Sequence, residues 1–385
     1  MARTPHLSRL SLGVLVLAWS CAACSGNRAG DDDVSHEATS SSTGADGSES
    51  ESDDGEPAGC PSGSGPGLAS VDVQSGTLVD DPLAPLPDDL ADVGIYPQAP
   101  DLSSVPDTAM LYEPAWPLWS NGSDKHRYMV LPAGTSIDTT DPEAWAFPPG
   151  TLLFKTFLYD DGGDGCPRPV ETRLMRKKPE GGWDYAVYGW DVAGERAQRL
   201  DIAEPTPIAV VGEDGAFDHH VPARIECRAC HESSLGEALG VERLQLSTPL
   251  HGGGVTQLET LAGQGLLSTA VTGESIEHPD ADTHALLGML HGNCVHCHNG
   301  SAGPSSSFDL RHPVALDNII DRPTESSASA AGIRIVPGSP EDSILFLAFS
   351  GETDDPEVKP MPPLGVDVRD RVSIELLRAF IENLD

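Results

Sequence analysis

The chain has 385 residues, a formal net charge of −37 and a hydrophobic fraction of 38%, room for about two domains with ordinary cores. So acidic a chain is excluded as a nucleic-acid binder, because phosphate binding needs clustered Lys and Arg. Its 40 Gly and 33 Pro argue for turns, loops and short strands over long helices.

The N-terminus reads as a targeting segment. Arg3, His6 and Arg9 supply positive charge, and Leu10 to Trp19 is an apolar stretch too short to span a bilayer comfortably. Ala22-Ala23-Cys24 matches the small-small-Cys end of a bacterial lipobox, so residues 1–24 are expected to be a lipoprotein signal peptide with lipid on Cys24. Cys21 stands where Leu is usual, and a plain secretory leader is the alternative. Either way the mature chain is expected in the cell envelope, and Ser25 after Cys24 points to the outer membrane, facing the periplasm or the cell surface. Residues 25–67 are rich in Ser, Gly and Asp with almost nothing apolar to bury, the composition of a disordered acidic tether.

Residues 68–225 read as short strands. Tyr128 to Leu131, Thr151 to Leu158, Glu171 to Met175 and Asp184 to Tyr188 are each bounded by Gly, Pro or Asp clusters. A mostly antiparallel β-sandwich is the expectation. Cys60 and Cys166 are left over once the other cysteines are assigned, and an oxidising compartment lets them pair as a disulfide.

From residue 226 the pattern turns helical. Gln257 to Leu267 and Thr283 to His291 carry Leu, Met and Ala at helical spacing. Ser339-Pro340-Glu341-Asp342 is a strong helix start, with a capping Ser, Pro in the first turn and two acids at the positive end of the dipole. Val372 to Leu384 has Ile374, Leu377, Ile381 and Leu384 on one face. Residues 226–279 are expected to form a segment with a helical connector that carries the first of the two motifs described next, and residues 280–385 a separate all-α domain.

Two motifs carry the chemistry: Cys227-Arg-Ala-Cys230-His231 and Cys294-Val-His-Cys297-His298. C-x-x-C-H is the attachment pattern of c-type haem. Two thiols one helical turn apart can add to the two vinyl groups of a porphyrin, and the next residue, His, then lies under the ring where its imidazole can bind iron. Given the Cys and His content of the chain, about 0.006 such motifs are expected by chance. A zinc ribbon, the main alternative, sets its Cys pairs about 15 to 20 residues apart, far closer than Cys230 and Cys294. A thioredoxin-like Cys pair calls for a βαβ setting that the sequence lacks. Cys227, Cys230, Cys294 and Cys297 are therefore the expected attachment residues of two haem c groups, with His231 and His298 as iron ligands. For the sixth ligand of the His231 iron, His220, His251, Met129 and Met175 stay open, as does an open position.

Residues 280–385 resemble a class I cytochrome c domain. The resemblance rests on Cys294 to His298, the helix after Ser339, and Lys359-Pro-Met361-Pro-Pro-Leu364 ahead of the closing helix. It implies Met361 as the second axial ligand, a thioether that favours ferrous iron; a plain loop methionine is the other reading. More broadly, Ala115 to Asp124, Trp145 to Gly150, Glu171-Thr-Arg173, Pro222 to His231 and Leu239-Gly240 resemble a bacterial family of dihaem c-type cytochrome lipoproteins of uncharacterised role. The fold class expected overall is multidomain α+β, a β-sandwich followed by an all-α cytochrome c-like domain.

The function expected is envelope electron transfer with redox partner proteins, membrane attachment through lipid, no nucleic acid and no catalytic residues of its own. A dihaem peroxidase-like enzyme and a haem-containing redox sensor with a ligand-binding β domain are the alternatives. Trp116, Trp119, Trp145, Trp183 and Trp190 would line a sugar site in the latter, or belong to a core.

Overall fold

A computed structural model describes residues 84–160, 166–301, 308–325 and 330–384. The signal peptide, Cys24, Cys60 and the tether lie outside the described residues, as does the side chain of His251.

Strand β3, Leu152–Tyr159, is buried along nearly its whole length, as its almost unbroken apolar sequence requires of a strand covered on both faces. It sits inside an antiparallel six-stranded meander in sequential order: β1 Met110–Leu111, β2 Asp124–Val130, β3, β4 Arg168–Lys177, β5 Trp183–Trp190 and β6 Ala197–Arg199. A separate hairpin pairs β7 Thr206–Gly212 with β8 Gly215–Val221. Alternation along the strands divides the core. Tyr128, Leu152, Phe154, Leu174 and Tyr188 face a cluster completed by Leu90, Val93 and Ile95, around the short helix α1, Leu90–Val93. Met129, Leu153, Met175, Tyr185 and Val187 face a second cluster completed by Ile137, Trp145, Phe147, Leu246 and Leu258.

The helices follow the strands in sequence: α2 Arg224–His231, α3 Gln257–Gly263, α4 Ala281–Asn293, α5 Ala315–Ile319, α6 Ile344–Ser350 and α7 Arg371–Glu382. Asp280 caps α4 by accepting from the Thr283 N–H at 2.8 Å, and Asp370 caps α7 from Ser373 at 3.0 Å. Leu286, Leu290, Phe346, Leu377 and Ile381 form their common core.

The fold class expected from sequence is corrected here. The structure is mostly antiparallel sheet with 21% helix, and residues 280–385 are not an all-α cytochrome c-like domain. Short helices alternate there with extended bridges such as Ile320 to Ile335 and Ile333 to Ser343. Their core also takes in Leu244, Ile276 and Trp116 from outside the segment. The sandwich is likewise replaced: one meander has both faces covered by coil and helix, and the second sheet is a two-stranded hairpin. Periodicity locates elements but does not say which element covers a face. Cys166 is disulfide-bonded; Cys60, its expected partner, lies outside the described residues.

Residues 113–121, between β1 and β2, join sheet to helices. Buried amides bond their backbone as a neighbouring strand would. Gln257 accepts from the Glu113 N–H at 2.8 Å and donates to its carbonyl at 2.7 Å. Gln245 does the same for Trp116 at 2.8 and 3.0 Å. Asn293 accepts from the Trp119 N–H at 2.8 Å. Two glycines of α4 admit this segment. A Cβ on Gly288 would lie 2.2 Å from the Trp116 ring, and one on Gly292 would lie 2.6 Å from the Trp116 carbonyl oxygen. Gly292→Ala should therefore destabilise the protein by about 1–3 kcal/mol, since backbone cannot yield as a side chain can. Denaturant unfolding checks this, and an unchanged midpoint would show that the crossing tolerates a methyl group.

Candidate functional site

The helix α2 starts where the Glu226 carboxylate accepts from the Ala223 N–H at 2.7 Å. One turn of helix separates Cys227 from Cys230, and His231 ends the element. The His231 ring is fixed from behind: its Nδ1 donates to the Glu237 carbonyl at 2.7 Å. Glu237 is itself held to the sheet, its Oε2 accepting from Lys177 Nζ at 2.9 Å and Trp183 Nε1 at 3.0 Å. With Nδ1 engaged, Nε2 is the nitrogen left with its lone pair, the arrangement metal-binding histidines use. Burial pushes the His231 imidazole down to about 3, outweighing the Glu237 bond, so it is neutral at pH 7.

The second motif continues directly from α4. The Cys294 N–H donates to the Leu290 carbonyl at 2.9 Å, and Cys297 and His298 close the next turn onto the Cys294 carbonyl at 3.1 and 2.9 Å. The His298 ring packs on Phe308 with centroids 4.5 Å apart, and the Arg334 guanidinium covers the same Phe ring at 4.1 Å. Burial, then the Arg334 charge, lowers the His298 imidazole to about 4.

The fold brings the two motifs together. Asn299, just after His298, donates to the carbonyl of Ser233, just after the first motif, at 2.9 Å. Cys227, Cys230 and His231 line a cavity of about 200 Å³ together with His296 and Cys297. A second cavity of about 270 Å³ lies on the other side of Leu118, Lys155, Leu239 and His296, which line both.

The four motif thiols are not disulfide-bonded. Burial raises Cys227 to about 11 and Cys294 to about 12, which disfavours thiolate. Among the described residues no group of three or more His, Cys, Asp or Glu gathers as a metal site, so the two Cys pairs do not converge on a zinc ion. A haem iron takes four ligands from its own ring and asks the protein for one or two. Thiols one turn apart beside a neutral, back-bonded imidazole facing a cavity fit that requirement at the first motif.

The other expected residues fall as follows. Met361 packs against a small cluster of Ala330, Ala348 and Val358, its N–H bonded to the Ala348 carbonyl at 2.9 Å. Pro362 to Val366 beyond it line the smaller cavity. Of the open candidates for the sixth position, Met129 is core, and Met175 and His220 both line the smaller cavity, Met175 as part of the same core and His220 with its Nε2 held by Glu226 at 3.0 Å. Of the five tryptophans, Trp116 and Trp145 border the larger cavity and Trp119 the smaller. Trp190 packs on one face of the sheet, Trp145 and Trp183 on the other, and Trp116 on the helices.

Sequence reasoning gave no role at the site to Arg127, Lys155, His219 or His296, and named Glu171 and Arg173 only among the residues that carry the family resemblance. Glu171 is fully buried and its Oε1 accepts from Arg173 Nε at 2.9 Å and pairs with His219 Nε2 at 2.8 Å. A lysine in the middle of an apolar strand, and Glu171 and Arg173 two apart on one strand face, were the signals available. Comparison of the chain with protein-family models, with curated proteins and with solved structures finds no match.

Burial pushes the Glu171 carboxyl up, but the Arg173 charge and the hydrogen bonds from His219 and Arg173 prevail and hold it at about 2 against an ordinary 4.5. A carboxyl lowered on folding contributes stability that is complete above the ordinary value and lost as pH falls toward the lowered one. Glu171→Gln should cost about 1–3 kcal/mol at pH 7, because Arg173, half-buried with 31% of its side chain exposed, loses its acid. The difference from wild type should shrink as pH drops from about 4.5 toward 2. Urea unfolding at both ends of that window checks the magnitude and the sign.

Proposed function

We propose that this chain is an electron carrier of the cell envelope that holds two covalent c-type haems, one at Cys227, Cys230 and His231 and one at Cys294, Cys297 and His298. One observation carries the reading: Cys227, Cys230 and His231 line a cavity that His296 and Cys297 of the second motif also line, and the Asn299–Ser233 bond ties the two motifs. Haem supplies a reversible one-electron iron couple. The cysteines fix each group so that it cannot dissociate, the Glu237 carbonyl keeps the His231 ring turned, and burial keeps that ring neutral. The apolar wall of Leu153, Phe157, Met175 and Val187 keeps water from the first site, which limits solvent reorganisation when charge changes. Groups attached at the two motifs would be neighbours, a requirement for passing an electron within one molecule.

Leader and tether support membrane attachment through lipid on Cys24, with redox proteins of the envelope as partners; the charge of −37 favours a basic surface on such a partner. Among the described residues no helix is long and apolar enough to cross a membrane. For the iron at His298 we keep Met361 as the proposed sulfur ligand, on the strength of its Pro-bounded loop.

The mature protein should keep its haem stain through denaturing electrophoresis and give two haems per chain as the pyridine haemochrome. Cys227→Ala with Cys230→Ala should leave one haem, and so should Cys294→Ala with Cys297→Ala. Purified protein carrying zinc and no Soret band would overturn the reading, and rapid peroxide turnover would move it to the peroxidase-like alternative. Met361→Ala should remove the weak sulfur–ferric charge-transfer band of one haem; a band that survives assigns the position to another residue.

A further inference from the structure

Strand pairing sets three cations side by side. Arg127 on β2 pairs with Lys155 on β3, and Lys155 pairs with Arg173 on β4. Directly paired residues share a face, about 5 Å apart, and like charges so placed repel. Arg127 is only 7% exposed, Lys155 is half-buried and the Arg173 side chain is 31% exposed, so water weakens the repulsion least at Arg127. Lys155 lies between the other two, and burial first, then Arg127 and Arg173, drives its ammonium well below the usual lysine range.

Four acids line the larger cavity with Arg127 and Lys155, and each is bonded to another cation: Glu143 and Asp309 to Arg311, Glu274 to Arg243 and His312, and Glu242 to His291. Arg173 has Glu171, but Glu171 also serves His219. Among the described residues no hydrogen bond or ion pair reaches the side chain of Arg127 or of Lys155. Glu113 and the Tyr112 phenol favour the Arg127 charge only from a distance. Lys125, on the same strand, donates to the Ser123 carbonyl at 2.8 Å. A sheet with one acid beneath three paired cations is short of negative charge, and buried charges persist only when matched.

The deficit lies where a ligand could correct it. Arg127 lines the larger cavity, Arg173 the smaller and Lys155 both. Cys230 and His231 lie within electrostatic reach of Lys155, and Cys227 and Cys230 within reach of Arg173.

We propose that the Arg127–Lys155–Arg173 row is an anion site that takes carboxylate groups. Two sources share that chemistry: the paired propionates of a porphyrin attached at Cys227 and Cys230, which rests on the haem reading above, and a free small carboxylate entering the cavity. Two carboxylates would answer Arg127 and Lys155, the two cations without an acid, and leave Arg173 to Glu171.

The experiment uses the full-length holoprotein with Arg127→Met and Lys155→Met, each checked for haem content. An empty row of like charges is relieved by a neutral residue of similar length, so stability should rise on substitution. A filled row loses a partner, so stability should fall, and a fall is the expected result. If propionates fill the row, one of the two midpoint potentials also drops in each variant, since a cation beside the ring favours the reduced state, while the other potential stays put. If a free carboxylate fills it, acetate or succinate raises the melting temperature of wild type and not of the variants, and the potentials do not move. Increased stability in both variants, with no change in potential and no response to either carboxylate, overturns the proposal. A wild type without covalent haem removes the propionate arm and overturns the haem reading, yet the carboxylate titration still decides the row.

Discussion

The backbone of residues 113–121 is hydrogen-bonded by side-chain amides, and the arrangement of the two motifs depends on it. Gln245, Gln257 and Asn293 satisfy groups that sheet neighbours would otherwise pair. The Trp119 indole donates to the Val368 carbonyl at 2.7 Å, and the Asn121 side-chain Oδ1 accepts from the Asp367 and Val368 N–H groups at 2.8 and 3.0 Å. One extended segment thereby fastens the sheet to α4, which leads into the second motif, and to the loop between Met361 and α7. An amide that satisfies both a donor and an acceptor of one residue is a strong local constraint, because leaving either buried group unmet costs about 1–3 kcal/mol.

That constraint explains why the helical part is not a domain of its own. Its core is closed by Trp116 and by Leu244 and Ile276 from the connector. α4 gives up side chains at Gly288 and Gly292 so that the 113–121 segment can cross it. A self-contained helical bundle would bury those positions against its own helices. Here they are spent on the sheet, and the first motif, on α2 at the edge of the sheet core, meets the second across one cavity.

The charge distribution has the same origin. The face of the sheet that turns toward the motifs carries Arg127, Lys155 and Arg173 where the opposite face carries Tyr128, Phe154 and Leu174. Glu171, 0% exposed and shared between Arg173 and His219, is the single acid set into that face. The first motif thus sits against an apolar wall with a strip of positive charge, an environment suited to an anionic ring.

The sequence by itself determined the motifs and the elements. C-x-x-C-H is legible because its chemistry is local: two thiols and an imidazole within one turn need no information from elsewhere. Strands near 128, 152, 171 and 184 and helices near 257, 283 and 372 were legible for the same reason, periodicity being a property of neighbours, whereas the helix expected to start at Ser339 is a single 3-10 turn, Pro340–Asp342, with no Ser339 cap, and α6 begins at Ile344. Only the tertiary structure decided what depends on residues far apart in the chain. Arg127, Lys155 and Arg173 become a row only through strand register, which a shift of one residue would send to the other face. Two cysteine motifs become one site only because amide side chains and two glycines let the segment before β2 lie against α4. The all-α C-terminal domain expected from the motif and its loop failed on this point: which surface completes a core is a matter of contact across the chain, and no local pattern records it.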